Sequence, residues 1–166
     1  MNPRTALITG ASSGIGEALA RHYASPQSVL GLIARRPLNL SLPGTTAAYA
    51  VDVTDERALA AAAQDFIGRF GPPDLVIANA GVSAGTLGED IRDVAKLRRV
   101  LEVNVTGLAA TLAAFAPAMR EAGRGLSRMT DRQVRLLPHP FFHPRTRRIE
   151  RDQFYSNQFS TLRPLT

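Results

Sequence analysis

The 166-residue sequence contains no cysteine. Disulfides and thiolate metal sites are excluded, and no metal centre is expected. Lysine is nearly absent too: among 20 basic residues, Lys96 alone is a lysine. Any chemistry that needs a lysine amine elsewhere is excluded with it. Long apolar runs are missing as well. The longest uncharged run, Val103–Met119, has 17 residues and includes two Thr, an Asn and a Pro. It is too short and too polar for a membrane span and suits a buried helix better. The start, Met1-Asn2-Pro3-Arg4, leads straight into Thr5–Thr9 with no apolar leader. A cytoplasmic chain without membrane contact is the expectation.

One further absence divides the chain. Residues 1–125 hold all 13 Gly and all 25 Ala, whereas residues 126–166 hold none of either. At the upstream frequency the last stretch would carry about 12. Charge divides at the same point. Residues 1–125 carry 12 basic and 11 acidic side chains; residues 126–166 carry 8 Arg and 3 acids. Nearly all of the net +6 therefore belongs to the last quarter. Two regions are expected: an ordered domain over 1–125 and an irregular, poorly ordered, basic Pro/Arg-rich tail over 126–166. A change of reading frame after about Gly125 would account for the break. It predicts that another frame of the coding DNA encodes a more regular continuation.

What is present upstream is an alternation of strand and helix signals. Thr5–Thr9 is an apolar run ending at Gly10. Ile15–Ala24 has helical spacing, and Ser28–Ala34 and Ala47–Val53 read as strands. Thr54 is the expected N-cap of a helix over Asp55–Phe70, stopped by Gly71-Pro72-Pro73. Asp74–Ala78 gives a fourth strand, and Ile91–Ala122 reads as helical with an interruption near Asn104–Gly107. Apolar strands separated by helix-length segments indicate an α/β fold, a doubly wound Rossmann-type parallel sheet. Leu126–Arg132 has no strand pattern. The sheet is thus expected to be truncated after about four strands.

The chemistry concentrates at strand ends. Thr9-Gly10-Ala11-Ser12-Ser13-Gly14-Ile15-Gly16 joins the first strand to the first helix. Glycines there let the backbone turn and approach a pyrophosphate, and the helix start supplies free N–H groups. After the second strand stands Ala34-Arg35-Arg36. Guanidinium groups suit a ribose 2′-phosphate, where a carboxylate would repel it. The cofactor expected is NADP(H) rather than NAD, with Arg35 favoured over Arg36. The plain alternative is an exposed basic pair at a strand end.

These features resemble the short-chain dehydrogenase/reductase family. Its TGxxxGIG pattern is matched at every fixed position of residues 9–16. Asp52-Val53, Asn79-Ala80-Gly81 and Asn104-Val105-Thr106-Gly107 match further landmarks in the family's order. The resemblance covers roughly residues 4–125. It implies hydride transfer between NADP(H) and a carbonyl or alcohol substrate. It assigns cofactor binding to Gly10, Ser12, Ser13, Gly14, Ile15, Gly16, Arg35, Arg36, Asp52, Val53, Asn79, Ala80 and Gly81. Asn104 would serve a proton relay. More ordinary readings stand beside these: Asp52 as a residue at a helix start, Asn79 as a turn former, Asn104 as a helix interruption.

The family also uses a Ser after a fifth strand and a Tyr-x-x-x-Lys helix. Tyr155-Ser156-Asn157-Gln158-Phe159 has Phe where the Lys belongs. The resemblance thus implies an oxidoreductase by descent that is inactive as this chain. A non-catalytic nucleotide-binding remnant is the alternative. Nucleic-acid binding through Arg145–Arg148, with Phe141 and Phe142 nearby, is less favoured. The family forms homo-oligomers; none is expected here.

Overall fold

The computed structural model describes residues 4–85 and 90–123, together with the backbone of 126–129. Five parallel strands form one sheet: β1 (Thr5–Thr9), β2 (Val29–Ala34), β3 (Thr45–Ala50), β4 (Leu75–Ala78) and β5 (Leu126–Met129), in the order β3-β2-β1-β4-β5. The helices are α1 (Gly14–Tyr23), α2 (Glu56–Phe70), α3 (Asp93–Leu101) and α4 (Leu108–Glu121). A π-helical turn over Glu102–Gly107 joins the last two.

The doubly wound class is as the apolar strands indicated, and all four strands foreseen are present. Two expectations need correction. Leu126–Met129 is a strand, paired in parallel with β4 through Leu75↔Leu126 to Ala78↔Met129. The sheet therefore crosses the compositional break at 125 by four residues. Backbone pairing to the free edge of β4 needs no period-2 pattern in the added strand, so a strand this short escapes pattern reading. Second, the N-cap of α2 is Asp55, whose side chain accepts from the Ala58 N–H at 3.0 Å. Thr54 is committed elsewhere: its N–H and hydroxyl both donate to Asp52 Oδ1.

Alternation along each strand builds two cores. Leu7, Ile33 and Val76 face α2 and α4, where Leu59, Phe66, Phe115 and Met119 close the larger core. Ala6, Ile8, Leu30, Leu32, Leu75 and Ile77 face the other way, against α1 at Ala20. With both faces covered, β1, β2 and β4 lie in the interior and read as unbroken apolar runs. β3, on the edge, is largely exposed. There the Tyr49 hydroxyl donates to Asp65 at 2.7 Å, tying the edge to α2. Burial first, then this bond, pushes the phenol up to about 12.

The stretch Asp93–Glu121 is long and apolar enough to cross a membrane by length and composition. In the fold its Val103, Phe115 and Met119 enter the larger core. Its Val94, Leu97, Leu101 and Val105 are exposed, as is Ile91 just before it.

Candidate functional site

Strand order fixes where a site can form. β2 follows β1 on one side and β4 lies on the other, so the crevice above the carboxyl ends of β1 and β4 is a topological switch point. Thr9 ends β1 there, and Asn79 follows β4. Asn79 Nδ2 donates to the Thr9 carbonyl at 3.1 Å and to the Gly10 carbonyl at 3.5 Å. The Ala80 N–H donates back to the Thr9 hydroxyl at 3.0 Å. The turn-former reading of Asn79 is thus met: it clamps the two strands across the crevice.

The glycine turn is shaped by close approach. A Cβ on Gly16 would sit 2.2 Å from the Gly10 carbonyl oxygen and 2.6 Å from Asn79 Nδ2. Gly10 has φ +69°, and a Cβ there would lie 2.9 Å from Ala80 Cα. Only glycine lets helix, turn and β4 loop meet this closely. Ser13, at the N-cap of α1, makes no side-chain cap bond. The first N–H groups of α1 are left with the positive end of the helix dipole.

Above this floor lies a cleft of about 270 Å³. Gly10, Ser12, Ser13, Ile15, Arg35, Arg36, Asp52, Val53, Asn79, Ala80 and Gly81 line it, with Ile33, Ala34, Val51, Val82 and Val103. Eleven residues singled out in the sequence are therefore gathered in one place. Gly14 and Gly16 do not line it; they shape the turn beneath. Asn104 stands behind it. Its Oδ1 accepts from the Val82 N–H at 2.8 Å and its Nδ2 donates to the Val82 carbonyl at 2.9 Å. It holds the segment after Gly81 as a neighbouring strand would. The foreseen interruption at 104–107 is the π-helical turn itself, a feature frequent at functional sites.

The cleft's electrostatics come from few groups. The Arg36 guanidinium donates to Ser13 Oγ at 3.4 Å. Arg35 Nη1 lies 3.8 Å from Asp52 Oδ2. Arg99, which sequence reasoning missed, reaches from α3 to donate to the same oxygen at 3.1 Å and to Glu102 at 3.1 Å. Burial opposes ionisation of Asp52. The bonds from the Thr54 N–H and hydroxyl, and from Arg99, nonetheless hold its carboxyl below the ordinary carboxylate range. The available signal for Arg99 was its place one helical turn before Val103, on the face that turns toward the cleft. Gly107 was under-read as well: a Cβ there would lie 2.6 Å from the Val53 side chain. The missing Cβ lets the long helix settle against the cleft wall.

The donor set suits an anionic, nucleotide-like ligand: two guanidinium groups, two serine hydroxyls and an uncapped helix start, around apolar walls. Lys96 pairs with Asp93 at 2.8 Å, outside the cleft. Tyr155, Phe141, Phe142 and Arg145–Arg148 lie outside the described residues.

A doubly wound sheet with a glycine turn at its switch point defines the Rossmann-type class. Within it, this chain belongs to the short chain dehydrogenase family, whose profile matches residues 4–126. An uncharacterised oxidoreductase of Myxococcus xanthus is 38% identical over 133 residues, covering 75% of this chain and 52% of the relative. A cis-4-hydroxycyclohexanecarboxylate dehydrogenase of Sinomonas cyclohexanicum is 36% identical, covering 64% of this chain and 45% of the relative. Among solved structures, a short-chain dehydrogenase from Streptomyces avermitilis superposes with a TM-score of 0.67 at 32% identity, covering 76% of this chain and 48% of that one. An alcohol dehydrogenase from Thermococcus sibiricus, complexed with 5-hydroxy-NADP, gives 0.62 at 30% identity, covering 76% and 57%. The chain thus spans about half the length of the proteins it matches.

Proposed function

We propose that the cleft binds NADP(H), and that the chain descends from oxidoreductases acting on a carbonyl or alcohol carbon. One observation carries this reading. Arg35 and Arg36 stand at the rim of a cleft whose floor is the glycine turn and the uncapped start of α1. That rim offers a ribose 2′-phosphate two guanidinium partners, and the α1 start offers the pyrophosphate its N–H groups. Asp52 and Val53 would meet the adenine ring, while Asn79, Ala80 and Gly81 form the shelf beyond the pyrophosphate. Asn104, which the family resemblance would place in a proton relay, holds that shelf in place through Val82. When bound, the dinucleotide supplies a hydride at nicotinamide C4.

Proton transfer in the family falls to a Ser and a Tyr-x-x-x-Lys, and residues 126–166 do not carry that pattern. The proposal for this chain is therefore cofactor binding without turnover, in the cytoplasm. Titration with NADPH and NADH, followed by nicotinamide fluorescence, tests the first half. NADPH should bind tighter by about tenfold, the worth of a charge-assisted pair. Equal or tighter NADH binding would overturn the phosphate assignment. Chain-dependent oxidation of NADPH by generic ketones would overturn the absence of turnover.

A further inference from the structure

We infer that Arg99 sets the cleft's preference for a 2′-phosphate by keeping the Asp52 carboxylate from capturing Arg35. This rests on the dinucleotide reading above and deepens it.

Among the described residues, Asp52 is the one carboxylate lining the cleft, and Arg35 and Arg36 are its only guanidinium groups. An acid beside Arg35 works against phosphate recognition in two ways. It repels the phosphate, and it competes for the same donors. The structure shows that competition largely satisfied elsewhere. Asp52 Oδ1 accepts from the Thr54 N–H at 3.0 Å and from its hydroxyl at 2.9 Å. Oδ2 accepts from Arg99 at 3.1 Å. Arg35 Nη1 stays at 3.8 Å, beyond hydrogen-bond length. Apart from this long ion pair with Asp52, the Arg35 side chain makes no hydrogen bond among the described residues, so its donors are available to a ligand. Arg99 is itself steadied by Glu102 at 3.1 Å, on the adjoining turn. Arg99 does not line the cleft. It acts through Asp52 and is a positioning residue.

Remove Arg99, and Oδ2 loses its partner. Arg35 is the nearest replacement, and an Arg35–Asp52 pair would blunt the guanidinium toward phosphate. Ligands lacking the 2′-phosphate would feel this far less.

Two probes that differ only in that group read the effect on the full chain: adenosine 2′,5′-bisphosphate and adenosine 5′-monophosphate. Calorimetric titration gives the ratio of their affinities. In Arg99→Met, which keeps the apolar stem, the ratio should fall roughly three- to fivefold, the scale of one screened ion pair. Arg99→Lys should restore most of it. Adding Asp52→Asn to Arg99→Met should bring the ratio back to the native value or above, because the competing acid is gone. A merely structural role would weaken both probes alike and leave the ratio unmoved, which would overturn the inference. Glu102→Gln provides a surface variant independent of how Arg99→Met folds. It leaves Arg99 wholly to Asp52, so the ratio should hold or rise, and a fall would count against the inference. If the native chain binds both probes equally, the phosphate reading fails and this inference with it. If the native ratio is high and Arg99→Met keeps it, the inference alone fails.

Discussion

Gly16→Ala and Gly68→Ala are the same chemical change on two helices, and the structure gives them opposite signs. Both positions are helical, Gly16 in α1 and Gly68 in α2. Alanine is favoured over glycine in a helix interior by about 1 kcal/mol. At Gly68 nothing lies within 4 Å of the added Cβ. That variant should keep most of the gain. At Gly16 the Cβ would lie 2.2 Å from the Gly10 oxygen, where ordinary contact begins near 3.4 Å. Something must move by about 1 Å, and the nearest atom is a backbone oxygen. Overpacking of this kind costs about 1–3 kcal/mol. The displaced neighbours include Asn79 Nδ2, 2.6 Å from the Cβ, whose bonds clamp β1 to the β4 loop. Losing one of them adds about 1 kcal/mol. After the helix gain, Gly16→Ala should be less stable than the native chain by about 1–3 kcal/mol, and the two variants should differ by about 2–4 kcal/mol. Urea denaturation followed by far-UV circular dichroism measures this, with equal m-values as the check on two-state behaviour. If the two variants fell within about 0.5 kcal/mol of each other, the close approach of α1 to the turn would be wrong.

Phe66 is wholly buried, with Phe70 at 5.3 Å and Phe115 at 6.4 Å between ring centroids. Phe66→Ala should cost about 3–5 kcal/mol in the same denaturation assay, and a loss below about 1 kcal/mol would refute its central place in the larger core. The depressed carboxyl of Asp52 gives a pH dependence of definite sign. Its contribution is present above the ordinary carboxylate range and is lost as pH falls through the folded value. Between about pH 5 and 2, Asp52→Asn should therefore flatten the acid limb of the stability curve. An unchanged limb would mean that Thr54 and Arg99 do not hold the carboxylate in solution.

Legibility followed sequence distance and burial. β1, β2 and β4 were readable because both faces are covered, so their side chains carry an unbroken apolar signal. β3, at the edge, starts two residues before the apolar run Ala47–Val53 that points to it, since Thr45 and Thr46 pair with β2 while lying exposed. The N-cap of α2 was misplaced by one residue because Thr54 and Asp55 both suit a cap. What separates them is Asp52, which takes both of Thr54's donors. That choice is a tertiary fact about the cleft and leaves no mark on the local pattern.

The site divides along the same line. Residues in contiguous motifs, 10–16, 35–36, 52–53 and 79–81, were legible because each strand end delivers its loop to one crevice. Arg99 is separated from Asp52 by 47 positions and sits in no motif. Its partner is set by how the long helix lies against Val53, which depends on the missing Cβ of Gly107. Strand order also explains which part of the proposed dinucleotide site this chain presents. The groups suited to adenosine and its phosphates come from β1, β2 and β3, on one side of the switch point. Beyond it, on the side of β4 and β5, the family match ends at residue 126. Among the described residues, that side presents the backbone shelf of Asn79–Gly81 and the Asn104–Val82 clamp. Under the proposed reading, the guanidinium groups that line the cleft, Arg35 and Arg36, come from the β2 end, while Arg99 acts on them from α3 through Asp52.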